Sequence, residues 1–152
     1  MTEINTAKHS SEELLVHVNH LLPQLSSSAP AMTLEQLSDL LDSSAVTLFV
    51  ATHEGRTVGM LTLALFPIPT GIRAWIEDVV VDADARGLGV GALLTTTAVE
   101  HAKHLGAVTV DLTSRPAREA ANALYRKVGF AQRETNVYRF LIENESGLDA
   151  PN

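Results

Sequence analysis

The sequence predicts an α+β fold, a single domain with helices packed around one mixed sheet. Three observations carry that prediction. The 152 residues are 45% hydrophobic, which is enough for one core in a chain too short for two full-sized ones. Helical spacing opens the chain, strand patterns follow, and one strand–helix–strand crossover comes after them. No repeat or linker interrupts this order. The domain is therefore expected over residues 1–142, with the polar acidic run ENESGLDAPN at 143–152 as a C-terminal tail.

Residues 2–8 read as a first strand. Ser10 followed by Glu13 predicts a capping box, in which side chain and backbone satisfy each other's orphan groups at a helix start. Leu14, Leu15, Val18, Leu21, Leu22 and Leu25 follow at helical spacing, and SSSAP at 26–30 ends that helix. Thr33 with Gln36 is a second capping box, opening a short helix whose apolar face is Leu34, Leu37, Leu40 and Leu41. Segments 45–51 and 57–66 are strands flanking HEGR, a hairpin turn in which Gly supplies positive φ. FPIPTGIR reads as a longer loop with two prolines. Residues 74–81 form a strand covered on both faces. Alternation sets Trp75, Glu77, Val79 and Val81 on one side, and Ile76, Asp78 and Val80 on the other. The loop DADARGLG leads into a helix over about 89–104, striped by Leu94, Ala98, Ala102 and Leu105. Strand 107–113 follows, then a helix with Pro116 in its first turn, ending at Lys127 before Gly129. Two strands, about 130–134 and 137–142, finish the domain.

Charge and composition narrow the function. Net charge is −7, with 11 basic residues against 18 acidic ones. Proteins that read nucleic-acid backbones present a concentrated positive stripe. Here the basic clusters are Arg115/Arg118 and Arg126/Lys127, so nucleic acid is not an expected partner. No apolar run approaches the ~18 residues of a membrane span. The opening residues MTEINTAKHSSEE lack a signal-peptide pattern, and a cytoplasmic location without membrane contact is expected. The absence of cysteine removes disulfides, thiolate zinc sites and a Cys nucleophile. His17/His20 and His101/His104 stand on polar helix faces without an adjoining ligand set. They read as solvated surface, and no metal is expected.

The strongest local feature is VVVDADARGLGVGALL, a strand that empties into a glycine loop opening a helix. Such a loop lets backbone N–H groups converge on a phosphate at the positive end of a helix. A tight strand-to-helix turn would need the same glycines. Gly87, Gly89 and Ala92 also satisfy G-x-G-x-x-A, and Asp111 ends the next strand as a dinucleotide fold would require. Against that reading, Asp82 to Arg86 separate the strand from Gly87, and a single crossover is present.

Arg86-Gly87-Leu88-Gly89-Val90-Gly91 also fits R/Q-x-x-G-x-G/A. In this the chain resembles the GCN5-related N-acetyltransferases, whose pyrophosphate loop has that pattern. LYRKVGF at 124–130 is similar to the same superfamily's second signature, on a helix leading into a strand. The resemblance is strong over 75–142 and looser over 1–66. It implies a central, mostly antiparallel mixed sheet with a splayed parallel pair, strands 74–81 and 107–113, at an acetyl-CoA site.

By that resemblance the backbone of Val79, Val80 and Val81 pairs with the pantetheine arm. Amides of Arg86, Gly87, Leu88, Gly89, Val90 and Gly91 then hold the pyrophosphate. Tyr125 occupies the position that serves the leaving sulfur, and Glu77 the position of a base for the ammonium proton. The family often has Asn seven residues before the tyrosine, where this chain has Arg118. Asn122 resembles an alternative subgroup, and both residues are candidate cofactor contacts. The implied activity is acetyl transfer to a primary amine by direct attack. The acceptor is a small cationic molecule by preference, with a protein or peptide amine left open, as is a homodimer. The rival reading is a catalytically silent CoA-binding module.

Overall fold

Ser11, rather than Ser10, caps the first helix, α1 (Glu12–Leu25), its Oγ accepting from the Leu14 N–H at 3.0 Å. The third helical residue is then Leu14, which has no side-chain acceptor, so the expected box becomes a one-sided cap. The second helix, α2 (Leu34–Asp42), starts as expected. Thr33 Oγ1 accepts from the Gln36 N–H at 3.1 Å, and Gln36 Oε1 accepts from the Thr33 N–H at 2.9 Å.

The computed structural model describes residues 1–142, so the tail expected at 143–152 lies outside the described residues. Strands β1 (Thr2–Ala7), β2 (Val46–His53), β3 (Arg56–Ile68), β4 (Gly71–Val81) and β5 (Ala107–Asp111) form one sheet in that order. The first four pair antiparallel, and β5 runs parallel to β4. This is the mixed, mostly antiparallel sheet that the resemblance implies. The β2–β3 turn is Glu54-Gly55, both at positive φ (49° and 78°), which suits the twist of a two-residue hairpin. The long loop expected over FPIPTGIR is mostly strand. Pro67 pairs with Ile72 near the strand end, where a missing donor is tolerated, and Ile68 already faces Gly71.

Each face of the sheet buries its own core. On one face Val18, Leu21 and Leu37 of the first two helices meet Leu48, Val50, Met60 and Val80. On the other, α3 (Val90–His104) lays Val90, Leu94, Ala98 and Ala102 on Phe49, Leu61, Leu63, Ala74 and Ile76. The last helix, α4 (Glu119–Val128), begins later than Pro116 predicts. Residues 115–118 close a separate turn, with the Arg118 N–H on Arg115 O at 3.0 Å. Gly129 ends the helix at φ 122°, as expected.

The two closing strands are a correction. Residues 130–142 form no helix or strand, and Tyr138 and Phe140 are 88% and 89% exposed. The strand-like sequence is present, but a strand needs a neighbour for its N–H and C=O groups. No neighbour is paired with it among the described residues. Among the same residues, no helix is long and apolar enough to cross a membrane.

Candidate functional site

The parallel pair opens like a V. Pairing of β4 with β5 runs from Ile72↔Ala107 to Trp75↔Asp111 and stops, while β4 continues to Val81 against β3. Beyond Trp75, the edge of β4 that β5 leaves is free for an amide-bearing ligand to pair with, as another strand would. Val79, Val80 and Val81 all lie on this stretch. Val80 buries its side chain in the α1/α2 core, which leaves its backbone as the available part.

A bulge shapes this stretch. Met60 pairs with Val80 and Thr62 with Glu77, so Asp78 and Val79 together oppose Leu61. Asp78 takes φ 52°, a conformation that Asp tolerates better than most residues. The bulge reverses the alternation expected from the sequence. Val79 and Val81 pack with Ile76 against the α3 core, and Val80 faces the other way. Glu77 and Asp78 are both exposed, two adjacent acids at the kink. Glu77 accepts the Trp75 indole N–H at 2.8 Å. Desolvation raises the Asp78 carboxyl above the ordinary carboxylate range.

After β4 the chain is tied to α1. Asp82 Oδ1 accepts from the Asp84 N–H at 3.1 Å, starting the 3-10 turn Ala83–Ala85. Its Oδ2 lies 2.9 Å from His20 Nε2, and Gln24 Oε1 accepts from the Ala83 N–H at 2.9 Å. The Asp84 N–H bond, then the His20 bond, hold the buried Asp82 carboxyl below the ordinary range against the cost of desolvation. Its charge is therefore engaged with α1 rather than free to repel an anion at the loop. His20 is exposed, as expected of a polar helix face, and its ring also ties α1 to the loop through Asp82. His101 likewise stands edge-on to Phe49 at 5.3 Å. Among the described residues, no three acids or histidines group as metal ligands.

Gly87 and Gly89 have φ of 83° and 77°, and a Cβ on either would meet nothing within 4 Å. Gly89 caps α3 in the left-handed conformation, and the first amide to bond back is Leu93, to Gly89 O at 3.0 Å. The amides just before it have no intrahelical partner, which is the normal state of a helix start. They stand beside open space, with Arg86 and Leu88 exposed alongside. Unpaired amides beside open space at a helix start are what an anion-binding site requires.

Packing sets α4 beside the start of α3. A Cβ on Gly91 would stand 3.1 Å from Leu124 Cδ1, so α4 lies close against the first turn of α3. Tyr125 is buried, edge-on to Phe130 at 6.0 Å. Burial raises its phenol above the ordinary value, and the Arg118 cation opposes that rise. Arg118, Asn122 and Tyr125 share a helical face. The Asn122 amide, however, donates to Arg115 O at 3.0 Å, so its donor already closes the turn before α4. Sequence reasoning missed Ser114, three residues beyond β5, whose Oγ is buried without a hydrogen-bond partner. A lone serine after a strand gives no signal in the sequence.

Known proteins resemble this chain in sequence and in fold. The chain is 29% identical over 102 residues to the N-alpha-acetyltransferase MAK3 of Arabidopsis thaliana, a match that covers 67% of this chain and 52% of that protein. It spans about half, or less, of the length of the curated relatives it matches. A crystal structure of an acetyltransferase from Trypanosoma brucei superposes with a TM-score of 0.77 at 28% identity, covering 93% of this chain and all of that one. The aminoglycoside N-acetyltransferase AAC(6')-Iy in complex with CoA matches in fold alone, with a TM-score of 0.78 at 16% identity over 92% of this chain and 94% of that one. The family described as Acetyltransferase (GNAT) matches residues 16–130, which take in most of α1, the splayed strands, the glycine loop and α4. By fold, loop and sequence match together, the chain belongs to the GNAT acetyltransferase family.

Proposed function

We propose that this chain transfers an acetyl group from acetyl-CoA to a primary amine by direct attack. The observation that carries this reading is the continuity of two unpaired backbone surfaces. The open edge of β4 leads into the free amides at the start of α3. An extended chain of amides ending in a diphosphate matches that surface along its length. Acetyl-CoA supplies the acyl group as an activated thioester.

The chain's own residues would do the rest. The α3 N-terminus, with roughly half a positive charge, holds the pyrophosphate, and Arg86 and Arg118 add cations. Backbone at Val79–Val81 aligns the pantetheine arm, and the Val80 N–H is the candidate donor to the thioester oxygen. Glu77, held by the Trp75 indole, accepts the proton of the incoming ammonium, with Asp78 beside it to attract the cation. Tyr125 keeps its proton at neutral pH because burial raises its phenol, so a proton is available for the departing sulfur. These 152 residues include no cysteine, so an acyl-cysteine route is not open to them.

Two exposed acids favour a cationic amine, and a small one is the first choice. The relatives' names include both N-alpha-acetylation and an aminoglycoside, so peptide amines belong in the screen. The test starts from thermal stabilisation by acetyl-CoA, CoA and NAD side by side. At ~100 times its dissociation constant, a ligand adds about 2.7 kcal/mol of stability. Shifts with the CoA compounds alone are expected, and a shift with NAD alone would overturn the proposal. Glu77→Gln and Tyr125→Phe should each lower turnover by roughly 10²–10⁴-fold while leaving CoA affinity near normal. CoA binding without acetyl transfer to any amine would mark the silent module instead.

A further inference from the structure

The open edge of β4 and the free amides of α3 are joined by residues 82–86, and α1 grips this link from outside the loop. Asp82 donates its N–H to Val58 O at 2.8 Å, which fixes the link to β3. Its carboxylate meets the His20 ring at 2.9 Å. Gln24, one turn further along α1, accepts the Ala83 N–H at 2.9 Å and also helps to hold the Asp82 carboxyl low. Ala85 then buries against the α3 core, and Arg86, Gly87 and Leu88 follow, all exposed. His20 and Gln24 lie four positions apart on one face of the helix. Both are exposed, so what they contribute is direction rather than core burial. Pro23 fixes φ in the turn that carries Gln24. The buried side of α1, at Val18 and Leu21, packs with Val80. One helix therefore touches both the strand and the link that leads to the amides.

We propose that His20 and Gln24 are positioning residues for the cofactor, setting the β4 edge and the α3 amides at the spacing one extended ligand requires. A ligand that meets two surfaces at once binds best when their separation is fixed beforehand. Otherwise part of its binding energy is spent on ordering the link. The chain between β4 and α3 has no strand partner to order it beyond Asp82, and the two α1 side chains supply that order. The inference rests on the CoA reading above. It adds two residues that lie outside the glycine loop and outside every signature in the sequence.

Calorimetric titration of CoA into the full chain and its variants tests the role. His20→Ala/Gln24→Ala should weaken CoA binding roughly 3–10-fold. His20→Gln keeps a donor for Asp82 and should stay within roughly twofold of wild type. Gln24→Glu keeps an acceptor for the Ala83 N–H but sets a second carboxylate against Asp82, so it should not restore affinity. Asn19→Ala is the control. It cuts α1 from Met32, with which Asn19 shares bonds of 3.0 and 2.8 Å, and leaves the link alone. That variant should lose stability in urea and keep its CoA affinity. In turnover, the double variant should raise the KM for acetyl-CoA with kcat near wild type. Unchanged CoA affinity in the double variant would overturn the proposal. An equal loss in Asn19→Ala would overturn it too, by showing a general loosening of α1. The wild-type titration comes first: no CoA binding there sinks the CoA reading itself, whereas wild-type binding with an unaffected double variant sinks only the role given to α1.

Discussion

Asp82 shows how much one carboxylate can do. It caps the 3-10 turn through the Asp84 N–H, ties α1 to the loop through His20, and ends β4. Its folded-state pKa lies below the ordinary value, so the stability it contributes is present above the unfolded pKa and is lost as pH falls through the folded one. Asp78 has the opposite sign. Its raised pKa gives a contribution that is present in acid and lost as pH rises through the raised value. Urea midpoints measured from about pH 3 to about pH 7 should therefore fall on the acid side, and Asp82→Asn should flatten that fall. At neutral pH, Asp82→Ala should cost about 1–2 kcal/mol, a figure kept modest because His20 is exposed and solvent screens the pair. An unchanged acid limb in Asp82→Asn would mean that other carboxylates govern it.

At the scale of elements, the seat of α3 decides where the glycine loop points. A Cβ on Gly59 of β3 would lie 3.0 Å from Val80 O and 3.2 Å from both Leu94 Cδ1 and Val90 Cγ1. The helix thus rests on a bare backbone position in its first turns, just after the free amides. A methyl group there would push against a carbonyl that the sheet holds in place. Gly59→Ala should cost about 1–3 kcal/mol by chemical denaturation. It should also weaken CoA binding, because the first turn of α3 would be lifted from the sheet. Wild-type stability in that variant would mean the helix can shift freely.

For the whole molecule, the sheet separates two cores that rely on different parts of the chain. Leu37 serves the α1/α2 side and Leu63 the α3 side, and both are fully buried. Each Leu→Ala change should cost about 2–5 kcal/mol. Because the two residues lie on opposite faces and share no core partners, the double variant should match their sum within about 0.5 kcal/mol in urea titrations. A clear departure from additivity would show the two cores to be coupled through the sheet.

Local chemistry made much of this legible. The Thr33–Gln36 box, the helical stripes, the glycine loop and the strand leading into it all follow from residues within a few positions of one another. Their signals are spacing, caps and positive-φ glycines. What the sequence left open depends on partners far along the chain. The bulge at Asp78 exists because β3 offers one residue where β4 offers two, and it reversed the faces that alternation assigns to Val79–Val81. His20 meets Asp82 across 62 positions, and no pattern within α1 announces that bond. Segment 137–142 has the composition of a strand, yet strand formation belongs to a pair, and this segment has no pairing partner among the described residues. Sequence thus determined the elements and the chemistry of the loop. Tertiary structure alone decided which side chains face one another, because register, bulges and edges are properties of two strands at once.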